Sequence, residues 1–389
     1  MTVLAAFPFI EVRIDTSGLT PVAQRSPGVI AIVGKTPAGP SGGTAAPNTP
    51  LVVSTADDAV NLFAEKVGTT VNDTQLSRSL KLALLQDPAP SKIYGVRVDP
   101  DYAAALAALE GVDDVTFVAL AEEYDVGTAG PPATNLQALK AHVEGMSAQG
   151  LKRIGVAAVD PGRAKSPTYP ADVDATMTPL RSTVSRMILV AARGASATTD
   201  VASAAMAAIA GFEPQVSMVL KKVRGIAMPL ASQYSPSEIK QLSEAGINPI
   251  IDPSLIEGTS LHFADGRTYT TDADLLFIDI VRVLDDIEFR LKAGLIGMVG
   301  DARITKSGLT RVKLRVEGIL EPLVTRAVID GFAVSIPLLD ILSLPESGRT
   351  PGENADVATA RANRTVEMLV TVTYGPAVHR LLVTLAPKF

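Results

Sequence analysis

The sequence predicts an α/β fold, α+β over the whole chain, with extended strands at both ends. Three observations carry this. Residues 29–33 form a continuous apolar run, the pattern of a strand covered on both faces. From Leu51 to about residue 226, short apolar runs alternate with stretches of helical period, which implies a mixed, largely parallel sheet with right-handed crossovers. At the two ends apolar and polar residues alternate singly, in segments with no second strand beside them in sequence.

In chain order, Ile10, Val12 and Ile14 stand between Glu11, Arg13 and Asp15, the period of a half-buried strand. Residues 16–27 carry Gly18, Pro21, Ser26 and Pro27 and read as a linker, so residues 1–26 form an arm. After the run at 29–33, the segment 36–50 holds Pro37, Gly39, Pro40, Gly42, Gly43, Pro47 and Pro50, which makes it a long loop. Strands are expected at 51–54, 92–98, 115–121, 153–159 and 187–192, and helices at 56–66, 75–85, 102–109, 135–149, 178–186 and 200–210. A further helix starts after the cap residues Thr271 and Asp272, repeats Phe277, Ile280, Leu284, Ile287 and Leu291, and ends before Gly294. The next repeats Leu309, Val312, Val316, Ile319 and Leu323, with Pro322 expected to kink it. A strand at 332–336 precedes a polar loop over 344–363. Two alternating strands close the chain: Val366, Met368, Val370, Val372 and Tyr374, then Leu381, Val383 and Leu385.

Composition removes whole classes of function. A chain of 389 residues holds two or three domains, and 47% hydrophobic residues argue against disorder, yet no run nears the ~18 apolar residues of a membrane span. Residues 1–9 carry no basic leader, which argues against a secretory signal. Zero cysteines exclude disulfides, thiolate nucleophiles and cysteine-ligated metals. A net charge of -6, no tryptophan and 4% aromatics speak against a nucleic-acid partner.

Two motifs invite chemistry and fail on context. Gly28 to Thr36 reads GVIAIVGKT, but five apolar residues separate Gly28 from Gly34-Lys35 where a phosphate-binding loop has four, and Pro37 blocks the helix that should follow. Gly39-Pro40-Ser41-Gly42-Gly43 matches G-x-S-x-G, yet Pro47 and Pro50 forbid the helix a nucleophile elbow needs. His262 or His379 could serve Ser41 as base, but nothing in the sequence ties either to it. The three histidines, His142, His262 and His379, lie far apart, and the pairs Asp57/Asp58, Asp113/Asp114 and Asp285/Asp286 diverge by ~100° on a helix. No catalytic, cofactor-binding or metal-ligating residue is expected. Two charge clusters remain: six acids and no base over residues 110–125, and the five bases Arg303, Lys306, Arg311, Lys313 and Arg315 with no acid among residues 303–315. In a homopolymer such patches can meet across a repeated contact.

Three stretches carry a family likeness. Ala245-Gly246-Ile247-Asn248-Pro249-Ile250 follows a helix; Ala264-Asp265-Gly266-Arg267-Thr268 leads to the helix with Ile280-Val281-Arg282 and Asp286-Ile287-Glu288; and a pair of strands closes the chain. In this order they resemble the sheath proteins of contractile tails, found in tailed phages, tailocins and related injection machines. The likeness is best from about residue 235 to 389 and moderate over 7–63. It departs at the arm, which reads Phe7-Pro8-Phe9-Ile10-Glu11-Val12 in place of the usual opening, and at Val283, where the helix motif has a second arginine.

The resemblance implies a structural subunit, not an enzyme, without cofactor. Such subunits polymerise into a six-fold helical tube around an inner tail tube and contract to drive it through a target envelope. Implied partners are further copies, the inner tube protein, and the baseplate and tail terminator proteins, with no nucleic acid and no membrane insertion. The place is the virion tail or contractile particle, assembled in the host cytoplasm. It further implies an arm over 1–26, an outer α/β domain over 27–235, an inner tube-facing domain over 236–363 and terminal strands over 364–389. Strands would be exchanged between neighbours through Ile10, Val12, Ile14, Val366, Met368, Val370, Val372, Leu381, Val383 and Leu385. The basic cluster at 303–315, in the inner domain, becomes the candidate tube contact. The bottom-up reading agrees, because isolated strands need another sheet to satisfy their backbone groups, and a head-to-tail contact that does not close makes a helical polymer. The competing class is an α/β enzyme, nucleotide-using or a hydrolase, whose arms swap in a dimer.

Overall fold

The computed structural model describes residues 26, 28–37, 43–196 and 198–379. Among them the chain runs β1 (Val29–Gly34), β2 (Leu51–Val52), α1 (Ala56–Phe63), β3 (Glu65–Val67), β4 (Thr70–Asn72), α2 (Gln75–Leu84), β5 (Lys92–Arg97), α3 (Tyr102–Ala108) and β6 (Phe117–Leu120). There follow α4 (Asn135–Ala148), β7 (Ile154–Ala158), α5 (Tyr169–Met177), β8 (Met187–Ala191), α6 (Val201–Gly211), β9 (Lys222–Val223), α7 (Pro236–Glu244), β10 (Ile247–Ile251) and β11 (Leu261–Phe263). The last third comprises α8 (Ile278–Leu295), α9 (Lys306–Thr325), β12 (Gly331–Ser335), α10 (Pro337–Ser343), α11 (Pro351–Asn363) and β13 (Leu369–Thr373).

Nine strands form one sheet in the order β2-β5-β1-β6-β7-β8-β10-β11-β9. The six from β5 to β10 are parallel, and antiparallel β2, β11 and β9 complete the two sides. Every residue of β1 is buried, and its alternate side chains feed two cores. Ile30 and Ile32 pack with Phe63, Leu80 and Met206 of α1, α2 and α6. Ala31 and Val33 pack with Leu106, Leu139, Val173 and Leu242 of α3, α4, α5 and α7. Each large apolar side chain so buried stabilises by about 1.5–3 kcal/mol, which is why these strands read as unbroken apolar runs. α6 is alanine-rich because it is buried all round, from Val201 to Ala210.

The chain divides into two units. The sheet unit comprises the described residues of Arg25–Ile287, Val328–Asp330 and Thr373–Phe389; the other comprises Glu288–Ala327 and Gly331–Val372, with residues 1–24 outside the described set. In the second unit Leu309, Ile336, Leu338, Leu342 and Val357 of α9, α10, α11 and their flanks make a small core, and β12 pairs with β13 in a two-stranded ribbon. This break differs from the one expected at residue 235. α7 and β10 continue the parallel sheet, with Ile247 beside Leu189, so the sheet unit runs on to Ile287.

Other elements shift for local reasons. The helix expected at 178–186 lies at 169–177, where Pro170 suits a first turn and Tyr169, Val173 and Met177 recur on one buried side. The helix expected from residue 271 starts at Ile278, because the preceding residues fold back: Thr268 N–H donates to Leu276 O at 2.9 Å and its hydroxyl to Leu275 O at 2.7 Å. Its buried residues are Ile278, Val281, Val283 and Ile287, while Leu284 of the expected stripe is 43% exposed and Gly294 lies inside the helix. The supposed polar loop at 344–363 contains α11, started by a capping box between Thr350 and Glu353 with Pro351 in its first turn. The hairpin β3–β4, turning at Gly68 with φ +62°, stands where a helix was expected to reach residue 66.

Buried charge ties the helices to the sheet. Just past β8, Arg193 lies against the Tyr169 and Tyr234 rings at 4.5 and 4.7 Å and pairs with Glu238 of α7 at 2.7 Å. The Arg193 guanidinium, helped by the Ser235 amide and hydroxyl, holds the Glu238 carboxyl at about 2, well below its ordinary 4.5. A carboxylate depressed on folding contributes stability that is present above about pH 4.5 and lost as pH falls toward 2. Glu238→Gln leaves Arg193 buried without its counter-charge and is expected to cost about 3 kcal/mol at pH 7. Thermal melts across pH should show the gap between wild type and variant closing from pH 4.5 downward.

Candidate assembly surfaces

Among the described residues, β12 and β13 pair with no third strand. Both alternate half-buried and exposed positions, and Leu369 is 64% exposed. A ribbon of two strands is marginal alone and leaves two rows of unpaired backbone groups. Of the residues expected to exchange, Val366 and Met368 pack on the small core of α9, α10 and α11 in their own chain, while Val370 and Val372 lie half-buried on the ribbon. Ile10, Val12, Ile14, Leu381, Val383 and Leu385 lie outside the described residues.

The five bases do not share one face. Thr305 caps α9 by accepting from Gly308 N–H at 3.1 Å, and Leu309, Val316, Ile319, Leu320 and Leu323 form its buried side. At ~100° per residue, Lys313 and Arg315 fall on opposite flanks of that side, and Arg315 Nε donates to Gly294 O at 3.2 Å. Lys306 and Arg311 are exposed and, with Thr310 and Leu314, line an open hollow; Leu314 is 61% exposed there. Arg303 is exposed just ahead of the cap.

The acidic run is likewise dispersed. Asp114 pairs with Lys92 at 2.6 Å, Glu122 takes both prongs of Arg78 at 2.8 Å, and Glu123 faces Lys35 at 3.6 Å. These acids have partners in their own chain, so the run is not one patch free for a neighbour.

Phosphate chemistry would belong at the carboxyl ends of β1 and β6, where the doubly wound sheet reverses its winding. Gly34 is required there by packing: a Cβ would stand 2.7 Å from that of Ala121 and 2.9 Å from that of Leu76. Lys35 lies over the Tyr102 ring at 4.8 Å beside Glu123, and no helix starts from the three residues that follow β1. Ser41 lies outside the described residues. His262 Nδ1 is 3.0 Å from Ser260 O. His379 Nε2 is 2.8 Å from the hydroxyl of Ser217, with Asp265 on its far side. This hydroxyl, imidazole and carboxylate follow the order of a hydrolytic triad, and no motif around them announces it. The relay is broken, however. Asp265 accepts from Gly266 N–H at 2.8 Å and Arg267 Nε at 2.9 Å, and its Oδ1 lies 4.0 Å from His379 Nδ1, beyond hydrogen bonding. Lys35→Ala should shift stability by less than about 1 kcal/mol and titrations with Mg-ATP should show no saturable binding to either protein.

Two of the stretches that carry the family likeness, 245–250 and 264–268, meet in space. Gly246 turns α7 into β10 with φ +83°, a conformation that favours glycine. Asn248 is fully buried: its amide donates to Leu189 O at 2.9 Å and Arg267 O at 2.7 Å, and its oxygen accepts from Arg267 N–H at 2.7 Å. One side chain thus locks β10 to β8 and to the turn at 264–268. Arg282 of α8 is buried, donates to Phe212 O at 2.6 Å at the end of α6, and has its pKa lowered to about 10 by burial. Val283, where the motif has arginine, is itself buried. Asn248→Ala would remove the side-chain partner of one buried and two partly buried backbone groups and is expected to cost about 3 kcal/mol, read as a lowered melting temperature.

No family model matches the sequence and no curated protein does. Solved structures do match. The helical sheath of the anti-feeding prophage in its contracted state aligns with TM-score 0.63 at 16% identity over 99% of this chain and 100% of that one. The sheath complex of an extracellular contractile injection system (PVC), also contracted, aligns with TM-score 0.68 at 13% identity over 100% and 99%. A sheath tail protein from Desulfitobacterium hafniense aligns with TM-score 0.56 at 13% identity over 85% and 93%. From end to end, the chain has the fold of these sheath proteins.

Proposed function

We propose that the chain is the sheath subunit of a contractile tail or injection particle. It polymerises helically around an inner tail tube and contracts to drive that tube through a target envelope. The observation that carries this is the whole-chain match to two sheaths, with both units of the fold included. The edges of β12–β13, which pair with no third strand among the described residues, support it, because an added strand from a neighbour satisfies them. Donor strands come from Ile10, Val12 and Ile14 of the arm and from Leu381, Val383 and Leu385; Val370 and Val372 belong to the receiving ribbon. The unit built on α9 to α11 faces the tube, and the sheet unit faces outward. Baseplate and terminator proteins bound the polymer, and assembly takes place in the host cytoplasm.

Purified protein should form tubes or stacked rings by electron microscopy, and deletion of residues 1–20 should leave a folded, non-polymerising chain. Discrete dimers from the intact protein would instead favour an enzyme with swapped arms.

Exposed ion pairs contribute only about 0–1 kcal/mol each and are screened by salt, so tube contact through α9 rests on several weak contacts. Arg303, Lys306 and Arg311, exposed together, are its candidates. Neutralising all three should lower the fraction of extended particles, most at low ionic strength, while sheath polymers persist. Equal fractions at every salt concentration would reduce the cluster to solvated surface.

A further inference from the structure

We propose that His379 pins a clasp that fixes the root of the C-terminal strand on the sheet unit, so that its direction and reach are set before a neighbour receives it. The inference rests on the strand-exchange reading above. The described residues 373–379 belong to the sheet unit. Tyr374 Oη donates to the buried Asp279 carboxylate at 2.7 Å. Gly375 lies so close to Asp330 that a Cβ would stand 2.6 Å from its carboxylate. Pro376, Ala377 and Val378 are then exposed, Val378 by 80%. His379 returns to the surface of the sheet unit, its ring meeting Phe277 edge-on at 5.0 Å. The segment is thus held at its two ends, not buried along its length.

The pin is built on the Ser217 hydroxyl. Ser217 Oγ accepts from Val219 N–H at 3.3 Å and lies 2.8 Å from His379 Nε2. The ring is thus held between the Ser217 hydroxyl and Phe277, with Asp265 on the side of Nδ1. The other charged groups around this hollow are Arg267 and Lys240. Since a strand advances ~3.3 Å per residue, Leu381, Val383 and Leu385 reach at most about 7, 13 and 20 Å from His379. The receiving edge of a neighbour must then come within about 20 Å of Ser217.

The test uses the full-length protein in four further forms: His379→Ala with Ser217→Ala, Ser217→Ala alone, His379→Gln, and a chain ending at His379. Critical concentration for polymerisation is read by sedimentation, and the monomer by thermal melting. Freeing residues 376–379, with Tyr374 still on Asp279, lengthens the tether, and effective concentration falls as about the -3/2 power of length, so the double variant should need roughly two- to tenfold more protein. Its melting temperature should not move. Ser217→Ala, which keeps the ring on Phe277, should show a smaller rise. His379→Gln, whose amide can accept from Ser217, should approach wild type. The chain ending at His379 should not polymerise. A double variant that matches wild type while the shortened chain fails overturns the clasp alone; a shortened chain that polymerises normally overturns strand exchange and the clasp with it.

Discussion

A parallel sheet must be covered on both faces, because its crossovers lay helices on each side and its strands carry apolar residues in both directions. That constraint organises the sheet unit. Ile30 and Ile32 select one layer of helices, Ala31 and Val33 the other, and the all-buried α6 is admissible only inside such a layer. The ribbon β12–β13 obeys no such rule. It is half-exposed and has no third strand among the described residues. The parallel strands are therefore closed over by their own helices, and β12–β13 offers edges among the described residues.

This contrast suits a subunit that must stay folded while its contacts change. Core packing and buried polar locks such as Asn248, Arg282 and the Arg193–Glu238 pair belong to the sheet unit. Exposed Lys306, Arg311 and Leu314 and the ribbon β12–β13 belong to the other. Contacts that are individually weak can be exchanged without unfolding either unit, whereas removing one partner of a buried lock leaves a stranded charge or amide.

Much of the fold was legible because its signals are local. β1 is a continuous apolar run because both its faces are buried, and the strand–helix alternation from β2 to α6 follows from the same burial. What escaped reading depends on contacts distant in sequence or on short caps. α5 hides behind Pro170 and Pro179, which suppress a helical pattern although Pro170 is well placed in a first turn. α11 was masked by its polar composition, although Thr350 and Glu353 carried the capping signal. The start of α8 depends on Thr268 folding back onto Leu275 and Leu276, which periodicity does not reveal. How the five bases at 303–315 are distributed around α9 depends on their angle, which a count of bases does not reveal. The grip of Ser217 on His379 joins residues 162 apart with no motif around either.

The account depends most on the ribbon receiving strands from neighbours. Hydrogen exchange of the amides in residues 331–335 and 369–373, compared between monomer and polymer, tests this directly. Edge amides that exchange fast in the monomer should become slow in the polymer, while the amides of β1 stay slow in both. Polymers whose ribbon amides exchange as fast as those of the monomer would contradict strand exchange as the basis of assembly.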